Sequence, residues 1–456
     1  MMIGSTNHRI EMIGLFEAST DSRLLTRSCG NCSLHASHRS PIEEIKKVPI
    51  TKRQILCLIA LAYGNFCVAA CVSLQAPFFP AECDIKGVSS LVYGLIFGIY
   101  ELVILVASPI FGKMFAYVTP NFFLEAGLFL AGGTTVLFGI LDKLSGPFEF
   151  TLFAFILRIF EGAGAAAFLT SCYTIMPLEF PEHISFLFAL LETFFGLGLI
   201  VGPTVGGALF ELGGYIMPFA TLGSLMLLGS LVSIILLPKS GDYTQSKSPS
   251  VFSFLCDAGT LLDVLTIAGC LNLIGFNAAT LEHHLRQFSL TPTEIGSIFI
   301  ITGSVYALTN PLWGKLGEYK FDARWMAIIG TAINIVGLLF MGPVDFLPIQ
   351  PKLWLVIVSL IIVGVGMAAK QVSAYIACLN DTINRRGYPN ETSTYALVSA
   401  VNFSSCSAGA FVGPTVGGYL LGTIGYRGST QVILGFEMLT LLLHIIYKIY
   451  GPKPSI

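Results

Sequence analysis

Gly202-Pro203-Thr204-Val205-Gly206-Gly207 returns unchanged as Gly413-Pro414-Thr415-Val416-Gly417-Gly418, 211 residues further along. It is the last of three matches that run in the same order through both halves of the chain. Ser108-Pro109-Ile110-Phe111-Gly112-Lys113 is matched 202 residues later by Asn310-Pro311-Leu312-Trp313-Gly314-Lys315. Gly162-Ala163-Gly164-Ala165-Ala166 is matched at the same spacing by Gly364-Val365-Gly366-Met367-Ala368. Ordered self-similarity of this kind marks an internal duplication. The difference between the two spacings falls in the stretch around 384–391.

Each copy is embedded in apolar sequence. The 456 residues are 54% hydrophobic and 11% charged, where a soluble domain carries about a quarter charged residues. That mismatch excludes most soluble enzymes, nucleic-acid binders and disordered proteins. Lys+Arg of 25 against Asp+Glu of 27 offers nothing to a polyanion. The 47 glycines and 35 phenylalanines suit packed and lipid-facing membrane helices. Cys57, Cys67, Cys71, Cys172, Cys270 and Cys406 fall inside apolar runs, where a thiol packs as a small hydrophobe, so no disulfide framework is expected.

Twelve apolar runs follow one another, near 54–79, 90–112, 121–141, 149–174, 184–210, 216–238, 259–281, 294–314, 324–342, 351–376, 393–420 and 429–450. Each approaches the ~20 residues that cross a bilayer as a helix. The predicted fold is an all-α integral membrane protein with 12 transmembrane helices in two six-helix halves. The halves are 54–238 and 259–450, joined by a polar linker at 239–258 and flanked by polar tails at 1–53 and 451–456. If the N-terminus is cytosolic, the cytosolic tails and loops hold 18 of the 25 Lys and Arg, and the far side holds five. That bias predicts that both termini are cytosolic. In the first tail, Cys29-Gly-Asn-Cys32 with His35 and His38 lacks the spacing of a zinc site, and no metal is expected.

The repeated motif puts Gly198, Gly202 and Gly206 on one helix face, and Gly409, Gly413 and Gly417 on another. Such faces let a neighbouring helix approach closely. Pro203 and Pro414 each remove a backbone hydrogen bond and permit a bend. The same element in the fifth helix of each half reads as a hinge or sliding surface, with plain helix packing as the simpler alternative.

Across about residues 50–450 these motifs resemble the major facilitator superfamily. Gly196 to Gly207 is similar to the fifth-helix antiporter motif of its proton-coupled exporters. Arg158-Ile-Phe-Glu161-Gly-Ala-Gly164-Ala-Ala resembles that group's fourth-helix motif, whose Arg is placed in proton coupling. A second GPTVGG in the eleventh helix is typical of the vesicular amine transporter branch, to which Pro77-Phe78-Phe79-Pro80 and Leu191-Glu192-Thr193-Phe194 are also similar. There are departures. Gly112-Lys113-Met114-Phe115-Ala116-Tyr117 lacks the Asp and Arg of the usual loop motif, whereas the second copy keeps Glu318. Monoamine-type members carry Asp, an acid and Lys where this chain has Gly64-Asn65, Asn277 and Glu101. A monoamine site copied unchanged is therefore not expected.

Charges at bilayer depth are costly and generally face a cavity or a partner. Five stand out: Glu101, Arg158, Glu161, Glu192 and Lys370. The resemblance implies that their four helices, the second, fourth, fifth and tenth, line a central cavity. A carboxyl in a low-dielectric cavity holds its proton at a higher pH than in water, which suits proton exchange. Glu192 is the first candidate for proton coupling and Glu101 the second. Arg158 and Glu161, three apart on one face, are positioned to pair. Glu101, Glu192, Lys370, Asn65, Asn277 and Tyr100 are the candidate substrate-binding residues. Tyr63, Phe66, Tyr93, Tyr306 and Tyr375 join Tyr100 as rings that could hold an ammonium by cation–π contact, packing being the simpler role for each. The five charges sum to −1, which favours a cation. Glu437 and His444, in the twelfth helix, have no place in this scheme.

Gly162-Ala-Gly164 imitates a dinucleotide loop, but no βαβ unit surrounds it, and the chain has no Walker A run and no H-E-x-x-H. No enzymatic activity and no cofactor are expected, the proton gradient supplying the energy. The predicted function is a proton-coupled antiporter that moves an organic cation, a polyamine or related amine, from cytosol into acidic secretory vesicles by alternating access. It would work as a monomer in the lipid bilayer, with no nucleic-acid partner. The alternatives are a plasma-membrane multidrug/proton exporter and a transport-inactive sensor or scaffold.

Overall fold

A segment that crosses a bilayer has to satisfy its own backbone polar groups, and an α-helix does so. The computed structural model describes residues 51–75, 79–237, 250–290, 292–319, 321–342 and 350–452. The Cys29–Cys32 motif, Pro77-Phe78 and most of the 239–258 linker lie outside the described residues, as does the side chain of Tyr93. The described chain is helical, without strands. Ten helices are long and apolar enough to cross a membrane. One of these, Thr392–Tyr450, is two helices merged across Gly425. Pro292–Glu318, with 27 residues, completes the twelve.

In chain order the crossings are α1 (Lys52–Leu74), α2 (Ser90–Met114), α3 (Pro120–Phe138), α4 (Pro147–Glu179), α5 (Ile184–Gly213) and α6 (Ile216–Leu236). They continue as α7 (Ala258–Leu285), α8 (Pro292–Glu318), α9 (Ala323–Met341), α10 (Leu353–Asn380), α11 (392–424) and α12 (426–450). We call the end where α1 begins and α12 finishes the base. Several helices start on a side-chain cap that takes up an otherwise orphaned N–H. Thr51 and Gln54 form a reciprocal capping box at α1. Thr119 accepts from Phe122 N, Asp257 from Thr260 N and Asp322 from Arg324 N.

The duplication persists in the backbone. Gly214, after α5, has φ 68° and ψ −164°; Gly425, after α11, has φ 70° and ψ 177°. They are 211 residues apart, the spacing of the GPTVGG pair. That region of φ/ψ is essentially restricted to glycine, so each marks the same sharp exit from its helix. Pro109 in α2 and Pro311 in α8 are a second equivalent pair.

The two glycine faces are seams inside each half. A Cβ on Gly198 would lie 2.8 Å from Ala69 Cβ, and one on Gly202 would lie 2.5 Å from Ala70 O, so α5 rests directly on α1. A Cβ on Gly413 would lie 3.0 Å from Asn272 Cα, so α11 rests on α7 in the same way. Pro414 packs over Gly275 of α7. Packing of Gly202, Gly206, Gly413 and Gly417 against a neighbouring helix is thus direct, whereas a hinge role has only position in its favour. Halves meet elsewhere: α2 against α11, α5 against α8, and α4 against α10 near the base. Small residues line these contacts too. A Cβ on Gly112 would meet Ala400 Cβ at 2.9 Å, and one on Gly314 would meet Ala189 Cβ at 2.5 Å.

Candidate functional site

Glu192 sits on α5 where the halves touch, 6% exposed. Its two carboxylate oxygens have partners from different halves. The Tyr173 hydroxyl on α4 donates to Oε1 at 2.9 Å, and the Tyr306 hydroxyl on α8 donates to Oε2 at 2.8 Å. Thr193, next on α5, donates to Ala307 O at 3.0 Å, across the same boundary. No ion pair reaches Glu192 among the described residues.

Below Glu192, towards the base, the rings close together. Tyr375 on α10 stacks on Phe188 of α5 with centroids 4.0 Å apart, and its hydroxyl donates to Tyr173 O at 3.3 Å. Tyr173 meets Phe403 of α11 edge-on at 4.8 Å. Tyr173, Phe188 and Tyr375 are fully buried, so this end is shut.

Glu101, on α2, is half-buried and hydrogen-bonded to Ser407 of α11, again across the halves. Like Glu192 it has no basic side chain in an ion pair among the described residues. Arg158 and Glu161 do pair, at 2.9 Å, and both are buried. Thr135 Oγ1 adds a 3.4 Å bond to Glu161. The Arg158 guanidinium lies over the Phe97, Tyr100 and Phe138 rings at 5.6, 5.2 and 5.6 Å. Tyr100 therefore already holds a cation, the protein's own, which corrects its reading as a ring free for substrate.

Lys370 needs a larger correction. Its Nζ lies 2.6 and 2.7 Å from the two oxygens of Glu437 on α12, and its side chain is fully buried. An ammonium so enclosed is neutralised within its own half and is not displayed to a substrate. The pair also accounts for Glu437, which had no role in the sequence reading. His444 is buried on the same helix, 3.3 Å from Thr266 Oγ1. Of the five charges and Glu437, only Glu101 and Glu192 lie outside these two pairs, and the site is more negative than five charges suggested.

Asn65 is buried and ties α1 to α4, donating to Leu61 O and to Cys172 Sγ at 3.0 Å each. Its Oδ1 and that of buried Asn277 on α7 have no protein partner. Tyr63 is spent on Leu225 O at 2.8 Å.

At the base of the second half is a charge network the sequence reading did not anticipate. Arg324 on α9 contacts Asp263 of α7 at 2.5 Å and Asp381 at 2.7 Å, with the Tyr447 ring 4.9 Å away. Arg385 bonds Asp257 at 2.6 Å. Burial pushes the Asp257 carboxyl up, but the Arg385 and Thr260 hydrogen bonds prevail and hold it below the usual carboxylate range. Asp263 escaped notice because one acid within an apolar run carries no sign of its partner 61 residues away. Tyr173 was missed although the repeat could have exposed it: 173 and 375 differ by the 202-residue spacing.

Twelve helices in two equivalent halves, with carboxyls at their junction, are the architecture of a membrane transporter. The Major Facilitator Superfamily profile matches residues 61–285 and 264–455, and the chain belongs to that family. The chain is 32% identical over 391 residues to the MFS-type transporter SLC18B1 of Homo sapiens, covering 84% of each chain. It is 34% identical to the Mus musculus protein of that name, again over 84% of each. The vesicular acetylcholine transporter of Rattus norvegicus is 23% identical, over 81% of this chain and 67% of that one. Among solved structures, a bacterial homologue of the iron transporter ferroportin in an outward-facing state superposes with a TM-score of 0.70, at 13% identity, over 86% of this chain and 99% of that one. The chain is a transporter and not an enzyme.

Proposed function

We propose that the protein is a proton-coupled antiporter that moves an organic cation, a polyamine or related amine, from the cytosol into an acidic vesicle, with the base facing the cytosol. The observation that carries this reading is the pair Glu101 and Glu192. Both are carboxyls within membrane helices, both lie where the halves meet, and neither is in an ion pair among the described residues, although the charge of Arg158 reaches Glu101. An ion so placed is costly unless something neutralises it, and a proton or an ammonium does so equally well. Exchange of one for the other is what antiport requires. Glu101 lies about 7 Å further from the base than Glu192, counting turns along their helices, so the two present separated sites that suit a cation with more than one ammonium group. Asn65 and Asn277 offer unpartnered carbonyl oxygens. Arg158 and Glu161 form the fixed part of the site. The names of the relatives, among them vesicular and chromaffin granule amine transporters, support an amine and a vesicle. The two six-helix halves rock about the junction, and the chain works as a monomer.

The test is uptake of a polyamine and a monoamine into proteoliposomes with an acidic interior. Uptake should collapse when an ionophore dissipates the gradient, and Glu192→Gln should abolish accumulation. Uptake indifferent to the gradient would overturn the reading.

A further inference from the structure

We infer that Tyr173 and Tyr306 form a latch that holds the base shut while Glu192 is ionised and empty, and that a proton on Glu192 releases it. The inference rests on the role proposed for Glu192 and adds how that proton is read by the rest of the molecule.

Geometry carries the argument. Each oxygen of Glu192 accepts a phenolic O–H, one from α4 at 2.9 Å and one from α8 at 2.8 Å. Glu192 and Tyr173 belong to the first half and Tyr306 to the second, so the Tyr306 bond ties together bodies that have to separate if the base is to open, while the Tyr173 bond fastens the sealing rings to the same carboxylate. Hydrogen bonds to an ionised acceptor are about twice as strong as neutral ones. An ionised carboxylate serves both phenols. Once protonated, one oxygen carries the hydrogen and the charge is gone, so both bonds weaken and the protonated oxygen becomes a poor acceptor. Tyr173 is also the centre of the closed base: it touches Tyr375, Phe188 and Phe403, and its carbonyl accepts from Tyr375. Loss of its anchor on Glu192 therefore acts directly on the rings that seal this end.

The groups that face Glu192 leave it as the titrating member. They are the phenols of Tyr173 and Tyr306 and the thiols of Cys172 on α4, Cys270 on α7 and Cys406 on α11. Phenols and thiols are neutral at and below physiological pH. Asn310, buried and uncharged, lies beside Tyr306 on the same helix. The proton comes from water on the side away from the base and goes to a carboxylate oxygen of Glu192. No other bond is made or broken. Such a latch prevents an empty, unprotonated carrier from reopening at the base, which is what keeps exchange obligatory.

Ser399 gives a probe. It lies one turn below Phe403 on α11 and is fully buried. In Ser399→Cys protein, alkylation of the introduced thiol is read by peptide mass spectrometry relative to Cys256, which is exposed. The ratio should be low in alkaline buffer and rise several-fold in mildly acidic buffer. Tyr173→Phe, Tyr306→Phe and Glu192→Gln, each in that background, should give the high ratio at both pH values. The normal signal from Cys256 and a monodisperse elution profile show that each variant is folded. A ratio independent of pH in the parent, or phenylalanine variants as protected as the parent, would overturn the latch. Uptake has no part in this readout, so failure of the amine-transport reading would be seen separately, in the gradient experiment.

Discussion

The Lys370 ammonium has both oxygens of Glu437 within 2.7 Å and no exposure to solvent, and that arrangement separates a structural ion from a functional one. Removing one member of a buried pair strands the other charge at a cost of about 3–5 kcal/mol, whereas replacing both with apolar residues of similar volume is often neutral. Lys370→Ala and Glu437→Ala should each lower the thermal unfolding midpoint strongly, and the double variant Lys370→Met with Glu437→Leu should restore most of the loss together with uptake. If the double variant were stable but inactive, the pair would be part of the transport site after all. Glu192 behaves differently by the same test of partners, because its oxygens are served by hydroxyls, which can be exchanged for a ligand without leaving a charge behind. This contrast also explains what sequence reading could and could not reach. That five charges lay in the membrane was visible from composition and spacing. That Lys370 belongs to Glu437, 67 residues away, was not, since neither residue carries a local mark of the other.

At the scale of the helix, the GPTVGG repeat makes a prediction within five residues. A Cβ on Gly413 would meet Asn272 Cα at 3.0 Å, a backbone atom that cannot turn aside, while Gly418 has open space around it. Overpacking of a tight contact costs about 1–3 kcal/mol. Gly413→Ala should therefore destabilise the protein by about that amount, and Gly418→Ala should leave the midpoint unchanged or slightly raised. Equal effects would mean that α11 does not lie on α7 as described. The glycine spacing had already indicated a close helix contact. It did not indicate which helix would fill it, because i, i+4, i+8 defines a face and says nothing of the neighbour. The partner proves to be the first helix of the same half in each copy, so the motif knits a half together. The exits at Gly214 and Gly425 were equally beyond reach: a glycine in a glycine-rich chain shows its backbone conformation only in the structure.

For the whole molecule, the duplication turns two contacts into one mechanism. Gly112 on α2 faces Ala396 and Ala400 of α11, and its equivalent Gly314 on α8 faces Ser185 and Ala189 of α5. These are two of the seams by which the halves touch towards the base; Gly112 and Gly314 are related by the 202-residue step that relates Tyr173 to Tyr375, and the residues they face by the 211-residue step. If the halves move as rigid bodies, both seams open together and both rings part with them. A methyl group at either seam is then a wedge that penalises only the closed base. The expected Cβ contacts are 2.9 Å to Ala400 Cβ at Gly112, and 2.5 Å to Ala189 Cβ with 2.7 Å to Ser185 O at Gly314, so Gly314→Ala should act more strongly than Gly112→Ala. In the Ser399→Cys background each should raise alkylation relative to Cys256 even in alkaline buffer. The double variant should add little to Gly314→Ala, because once the base has opened neither methyl group meets an obstacle. Full additivity would mean that the two seams respond independently, and the halves would then not move as single bodies.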